Sequence, residues 1–170
     1  TRMENILMIP IIGIQNTMAT FAGQNMGARQ PERVSKGLGQ GVLVSLFMTA
    51  ALCVCQLLGM ELIIRAFKLD AAAAAICRQH LFASVLSEPI FAIYFPANGM
   101  FQGVGEGFHA TFYALMALGL RVVFAYSLYR TAFFGYTAIW WSQAMAWSLT
   151  LITCYAHFFR GKWKEKSLVS

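Results

Sequence analysis

The sequence predicts an all-α fold, a polytopic bundle of about five transmembrane helices. Of the 170 residues, 58% are hydrophobic and 12% are charged, whereas a soluble domain usually contains about 25% charged residues. The few charges cluster between long uncharged runs. Several of these runs reach the length of about 18 apolar residues that a helix needs to cross a bilayer. None shows the alternation over about ten residues that marks a barrel strand.

Five apolar runs define the predicted spans: residues 5–24, 42–64, 76–101, 107–129 and 134–158. The links between them are too short for a soluble domain. The first span starts close to the first residue, and no signal-peptide pattern of charged head, apolar core and cleavage site precedes it. We therefore expect residues 1–170 to be the C-terminal part of a longer protein.

The first span contains two amides near its middle, Gln15 and Asn16. Amides in a membrane helix usually hydrogen-bond to neighbouring helices, and the alternative is that they line a cavity. The link that follows, residues 25–41, holds Gly27, a residue type that commonly ends helices. It also holds Pro31, which suits the first turn of a new helix. We therefore expect a helix end, an elbow and a short surface helix before the second span.

The positive charges orient the spans. With five spans, the 25–41 elbow and the tail over residues 160–170 fall on the same side of the membrane. That side carries seven Lys and Arg residues and the opposite side carries five. The seven are Arg29, Arg33, Lys36, Arg160, Lys162, Lys164 and Lys166, and the five are Arg2, Arg65, Lys68, Arg78 and Arg130. The positive-inside rule therefore places the elbow and the C-terminal tail in the cytoplasm. This distribution accounts for the net charge of +6 without a nucleic-acid partner.

The third span carries the strongest functional signal. Pro89 and Pro96 each remove a backbone hydrogen bond, which membrane helices tolerate beside neighbouring helices or a wet cavity. Glu88 lies near mid-membrane, where a carboxylate costs about 3 kcal/mol, so we expect it to face protein or water. Helical periodicity places it on one face with other polar and aromatic residues. The candidate substrate or coupling-ion residues on this face are Ser84, Glu88, Phe91, Phe95, Asn98 and Gln102.

An acid beside aromatic rings suits an organic cation, because the rings add cation–π attraction to the charge of the acid. Arg121, in the fourth span, and the amides Gln15 and Asn16 complete the candidate set. The alternative is structural: Glu88 pairs with Arg121 and fixes the bundle. We favour a functional role for Glu88, because ionisable residues inside a membrane are functional by default.

Neither a metal site nor a catalytic site is expected. Glu106 and His109 form an E-x-x-H motif, but a di-iron bundle needs a second copy, which the sequence lacks. The four cysteines form no CxxC pair and are expected to be buried apolar residues. No Ser, His and Asp converge on a catalytic triad. We therefore expect no enzyme activity and no cofactor.

The stretch NTMATFAGQNMGARQPERVSKG, residues 16–37, resembles the loop pattern of the multidrug and toxic compound extrusion (MATE) family. In that pattern a helix ends in a Gln-x-x-Gly-Ala run and a basic linker follows. The matching positions here are Gln24, Gly27, Ala28 and Arg33. The stretch NGMFQGVGEG, residues 98–107, resembles the family's Gly-rich link between its tenth and eleventh helices, and residues 138–166 resemble its last helix and Arg-Gly-x-Trp tail.

The resemblance implies a fold of two six-helix lobes around a central cavity. This chain would supply helices eight to twelve, most of the C-terminal lobe, and its partner would be the missing N-terminal lobe of the same protein. Some members carry a coupling acid on the tenth helix, and Glu88 lies on the matching helix of this chain.

The function implied by the resemblance is secondary antiport: organic cations or drugs leave in exchange for protons or sodium. The protein would lie in the plasma membrane of a bacterium, with the lipid bilayer around it. One alternative is a flippase for lipid-linked precursors, which would need a more cationic cavity. The other is a structural membrane subunit that does not transport, whose cavity face should be apolar.

Overall fold

A computed structural model describes residues 2–68, 70–130 and 135–165. Almost all of them lie in five α-helices: α1 (Arg2–Gly27), α2 (Pro31–Ala66), α3 (Ala71–Gly103), α4 (Gly107–Tyr129) and α5 (Ala138–Arg160). Short 3-10 turns cover Gly135–Thr137 and Lys162–Glu165. These ranges contain no β-strand. The predicted all-helical bundle is confirmed.

Three helices, α2, α3 and α4, are long and apolar enough to cross a membrane, judged by length and composition over the described residues. The helices α1 and α5 do not meet that measure. The five predicted spans therefore correspond to five helices, of which three have the hydropathy of a membrane span.

The link between α1 and α2 is shorter than we expected. Only residues 28–30 separate the two helices, and α2 then runs without a break from Pro31 to Ala66. The expected short surface helix is thus the first part of α2. The chain reverses at Arg29, whose φ angle is 55°, and the Gln30 N–H donates to the Asn25 carbonyl at 2.8 Å.

Two glycines near the start of α2, Gly37 and Gly41, lie at its contact with α1. A Cβ atom at Gly37 would collide with the ring of Phe21 on α1. One at Gly41 would press against Met18, also on α1. These glycines therefore let α1 and α2 approach closely, as small residues do in membrane bundles.

The helix α3 is the centre of the bundle and contacts each of the other four helices. Its most extensive contact is with α1. There Gly99 and Gly103 touch the α1 backbone, because a Cβ at either position would strike the carbonyl of Gln15 or Ala19. The buried core lies toward this end of α3, where Tyr94, Met100 and Phe101 are almost fully enclosed.

The C-terminal turn packs back onto the bundle. Trp163 is fully buried and donates its indole N–H to the Phe158 carbonyl at 3.0 Å. The next residue, Lys164, donates to the Glu32 carboxylate at 2.9 Å. The charge and hydrogen bond of Lys164 lower the pKa of Glu32. The turn Lys162–Glu165 and the start of α2 therefore lie at the same end of the bundle.

Candidate functional site

Glu88 is buried between α2 and α3, with 7% of its surface exposed. Its carboxylate accepts two hydrogen bonds from α2. The Gln56 side-chain amide donates to Oε1 at 2.6 Å, and the Cys53 thiol donates to Oε2 at 2.9 Å. Both partners are neutral, so the carboxylate is oriented without its charge being cancelled.

A cavity of about 260 Å³ opens beside Glu88. All five helices contribute to its wall. The lining residues are Met8, Ile11, Thr49, Leu52, Ser84, Ser87, Glu88, Phe91, Arg121 and Gln143. A smaller cavity of about 20 Å³ shares Ser84, Ser87 and Gln143 with it and extends toward His80 and Trp140. Four of the candidate residues from the sequence, Ser84, Glu88, Phe91 and Arg121, therefore face one cavity.

Arg121 reaches the cavity from α4, but it does not pair with Glu88. Among the ion pairs of the described residues, none within 4.0 Å involves Glu88. The structure thus differs from the alternative in which Arg121 neutralises Glu88 and fixes the bundle. The two residues are the ionisable side chains of the cavity wall, one of each sign.

Asn98 lies outside this cavity, in a separate hydrogen-bond network. Its side-chain oxygen accepts from Gln15 at 2.9 Å and from Gln102 at 2.7 Å. Its side-chain nitrogen donates to the Tyr94 hydroxyl and to the Ala110 carbonyl, both at 2.9 Å. The network joins α1, α3 and α4. It corresponds to the interhelical role that we expected for Gln15, and it leaves Asn98 no free donor.

The two candidate phenylalanines have different surroundings. Phe91 is buried and lines the cavity. Phe95 instead stacks on Trp147 of α5, with ring centroids 6.0 Å apart. Trp147 also contacts Phe91 and Tyr94 edge-on, at 5.2 and 4.9 Å. The face that the sequence predicted on α3 therefore divides into a cavity part and an aromatic packing part.

The remaining candidates lie away from the cavity. Asn16 is exposed on α1. The elbow residues Gln24, Gly27 and Ala28 form the turn between α1 and α2, where the Ala28 N–H donates to the Gln24 carbonyl at 3.0 Å. Arg33 donates to the Gln30 side chain at 3.1 Å. None of these lines the cavity, so the elbow motif shapes the connection between helices.

Several residues of the site were not identified from the sequence. Gln56 and Cys53 hold Glu88, and Thr49, Ser87 and Gln143 supply polar atoms to the cavity wall. An isolated polar residue in an apolar run is the only signal that they carry. Gln56 shows it in the second span and Gln143 shows it in the fifth.

A second polar cluster joins the start of α4 to the end of α5. Glu106 is 4% exposed. Its Oε2 atom lies 3.2 Å from Nε2 of His157 and 3.8 Å from Nδ1 of His109. The three ligand-type atoms all lie within 4.8 Å of one another. Tyr113 makes a 2.7 Å hydrogen bond with Nδ1 of His157.

Comparison with known proteins agrees with the resemblance seen in the sequence. A family model described as MatE matches residues 1–127. One similar solved structure is the outward-facing conformation of a multidrug resistance MATE family transporter of the MOP superfamily, with a TM-score of 0.82 and 17% identity. It is matched over 98% of this chain and 37% of its own length.

A second similar structure is a MOP superfamily transporter from Pyrococcus furiosus, described as having a binding pocket of reverse polarity that suggests a different function. Its TM-score is 0.81 at 16% identity, over 97% of this chain and 36% of its own length. The chain thus spans little more than a third of the length of either transporter. No curated protein sequence matches it. Because the family model covers most of the chain, the chain belongs to the MATE family of membrane transporters.

Proposed function

We propose that this chain is part of a secondary antiporter that exports organic cations or drugs in exchange for protons or sodium by alternating access. The observation that carries the proposal is the carboxylate of Glu88, buried beside a cavity of about 260 Å³ and held only by neutral donors. A carboxylate at this depth costs about 3 kcal/mol. An inert position would be filled better by an apolar residue.

The cavity wall suits exchange of a cation for a proton. Glu88 and Arg121 give it a net charge of zero when Glu88 is ionised, and a net charge of +1 when Glu88 is protonated. In the ionised form a cationic substrate can therefore pair with the Glu88 carboxylate while Arg121 is balanced, and in the protonated form it meets a net positive wall. The ring of Phe91 adds an apolar surface and a cation–π partner in the ionised form.

Alternating access would convert this competition into exchange of the two ligands across the membrane. A ligand shifts a conformational equilibrium only by the difference in its affinity for the two states. A proton and a cationic substrate compete for Glu88. This competition couples their movements if the proton favours one of the inward-facing and outward-facing states and the substrate favours the other. The second lobe of the same protein would supply the rest of the cavity and the surface against which this lobe moves.

The alternatives remain distinct in chemistry. A flippase for lipid-linked precursors would need a cavity richer in cations than one arginine balanced by one acid. A structural subunit that does not transport would need no ionisable group at the cavity wall.

The test uses the full-length protein in liposomes loaded with a lipophilic cationic dye, under proton and sodium gradients imposed in turn. We expect gradient-driven efflux by the parent protein and a strong reduction in the Glu88→Gln variant, which keeps the shape of the side chain. Glu61→Gln is the matched control, because Glu61 is half-exposed and pairs with Arg78 away from the cavity. Parental efflux by a stable Glu88→Gln protein would contradict the proposal.

A further inference from the structure

Three side chains that commonly bind metal ions converge where α4 begins and α5 ends. Glu106 and His109 lie one turn apart at the start of α4, and His157 reaches them from the last turn of α5. The two imidazole rings are 4.6 Å apart between centroids. Both imidazole rings therefore lie beside the buried Glu106 carboxylate.

The spacing of the three groups is close to that of a transition-metal site. Ligand bonds of about 2.0–2.1 Å in tetrahedral geometry place neighbouring ligand atoms about 3.3 Å apart. Here Oε2 of Glu106 lies 3.2 Å from Nε2 of His157 and 3.8 Å from Nδ1 of His109. Small side-chain rotations would bring all three atoms to bonding distance of one ion.

The surroundings of His157 orient its ring for this role. The Tyr113 hydroxyl contacts Nδ1 at 2.7 Å, and the ring of Phe101 stacks on the imidazole at 4.9 Å. When Nδ1 carries the proton and donates to Tyr113, Nε2 carries the lone pair, and it lies 3.2 Å from Oε2 of Glu106. Metal-binding histidines characteristically donate their second ring N–H to an oxygen acceptor, such as a carboxylate, a backbone carbonyl or water, and the Tyr113 oxygen can take that place here.

We propose that Glu106, His109 and His157 form a binding site for a first-row divalent transition-metal ion, with Zn²⁺ as its representative. Two neutral imidazoles and one carboxylate are ligands that this ion accepts. The side chain of His109 is 45% exposed, which provides an entry path and leaves a coordination position for water. The ion would tie the start of α4 to the end of α5. The proposal is independent of the transport mechanism.

The alternative is a protonated clamp in which an imidazolium pairs with Glu106. Two protonated imidazoles at this separation repel each other, so that arrangement satisfies only one of them. A divalent ion accepts both as neutral ligands at once. For this reason the geometry favours metal over proton.

The experiment titrates the purified full-length protein in detergent with Zn²⁺ by calorimetry and with Co²⁺ by visible spectroscopy. We expect one ion per chain and a Co²⁺ spectrum with nitrogen and oxygen ligands, without the intense thiolate band that cysteine would add. The variant His109→Gln should weaken binding at least a hundredfold, and Tyr113→Phe should weaken it about 10–100-fold. His109→Gln is preferred to changes at Glu106, because the His109 side chain is half-exposed whereas Glu106 is buried.

The matched control is His80→Gln. The chain has three histidines, and His80 is the one outside the cluster, against Trp140. Its replacement should leave Zn²⁺ affinity unchanged. Zn²⁺ should also raise the melting temperature of the parent protein and of His80→Gln, but not of His109→Gln. Equal Zn²⁺ affinity in the parent and His109→Gln, or no Zn²⁺ binding by the parent, would overturn the proposal.

Discussion

Two glutamates are buried among the residues whose burial the structure describes, and they are held in opposite ways. Glu88, in the middle of α3, accepts hydrogen bonds from two neutral side chains, whereas Glu106, at the start of α4, lies against two imidazoles that can take up a proton or bind an ion. The first carboxylate keeps its charge available to a ligand in the cavity. The second shares its charge with fixed neighbours. Burial alone therefore does not identify a coupling residue. The side chains around the carboxylate must also leave its charge available to a ligand.

The comparison also separates transport from stability. Loss of charge at Glu88 removes a functional group whose partners are polar but neutral. Loss of charge at Glu106 removes the buried anionic neighbour of two imidazoles, His109 and His157. We therefore expect loss of charge at Glu88 to reduce efflux, and loss of charge at Glu106 to reduce stability.

The largest stability effect is expected at the neutral donor of Glu88. Gln56→Leu removes the 2.6 Å hydrogen bond to a buried carboxylate, and hydrogen bonds to charged groups contribute about 1.5–3 kcal/mol. We expect the free energy of unfolding in detergent to fall by about 3 kcal/mol. Adding Glu88→Leu should restore most of it, because replacing both partners by apolar groups is nearly neutral.

A double-mutant cycle measures this coupling. Its matched control is Gln79→Leu together with Glu88→Leu, since Gln79 lies on the exposed surface of α3 and should show no coupling to Glu88. An additive result for Gln56 and Glu88 would mean that the hydrogen bond does not orient the carboxylate.

A smaller loss of stability, with efflux unchanged, is expected from a substitution at Glu106. The variant Glu106→Gln keeps the shape of the side chain but removes the charge beside His157, 3.2 Å away. We expect the free energy of unfolding to fall by about 2 kcal/mol, while dye efflux per folded protein stays near the parental value. Loss of efflux without loss of stability would show that Glu106, like Glu88, takes part in transport.

Features that depend on the local sequence alone were predicted correctly or could be identified. The fourth predicted span, 107–129, has the same bounds as α4, because a proline-free apolar run lies between a Gly-rich link and charged Arg130. Glu88 was identifiable because a lone acid in an apolar run is costly anywhere in a membrane.

Features that depend on packing between helices could not be predicted. Gly27 and Pro31 suggested an elbow with a short surface helix, but in the structure Gly37 accommodates Phe21 and the helix that begins at Pro31 continues to Ala66. Glu106 and His109 form a local motif, but His157 comes from a different helix and meets them only after α4 and α5 pack. Likewise, no local pattern assigns Cys53 and Gln56 to Glu88 rather than to lipid.

A still smaller effect is expected from the hydroxyl that orients His157. Tyr113→Phe removes the 2.7 Å hydrogen bond to Nδ1 but keeps the ring that packs against Phe101. We expect a loss of about 1 kcal/mol in the free energy of unfolding without added metal. Tyr126→Phe, on the exposed side of α4, is the control and should cause no change. Equal stability of both variants would mean that Tyr113 does not fix His157.

The smallest effect on stability is expected from an exposed ion pair, outside the buried clusters. Nζ of Lys164 lies 2.9 Å from Oε1 of Glu32 at the end of the bundle, and both side chains are in contact with solvent. The hydrogen bond and charge of Lys164, with a contribution from Lys36, lower the pKa of Glu32 below its ordinary value of 4.5. A carboxylate whose pKa is lower in the folded state stabilises the fold above the unfolded pKa, and this contribution is lost as the pH falls through the folded pKa.

The melting temperature measured against pH tests this sign. In the parent protein the pair should contribute at neutral pH and lose its contribution below about pH 4.5. Lys164→Ala should therefore lower the melting temperature slightly at neutral pH and not at all in acid, and added salt should shrink the difference, because exposed pairs are screened. Lys162→Ala, two residues earlier in the same tail, should match the parent throughout. A pH-independent loss in Lys164→Ala would assign the effect to packing on Trp163 rather than to the charge of Glu32.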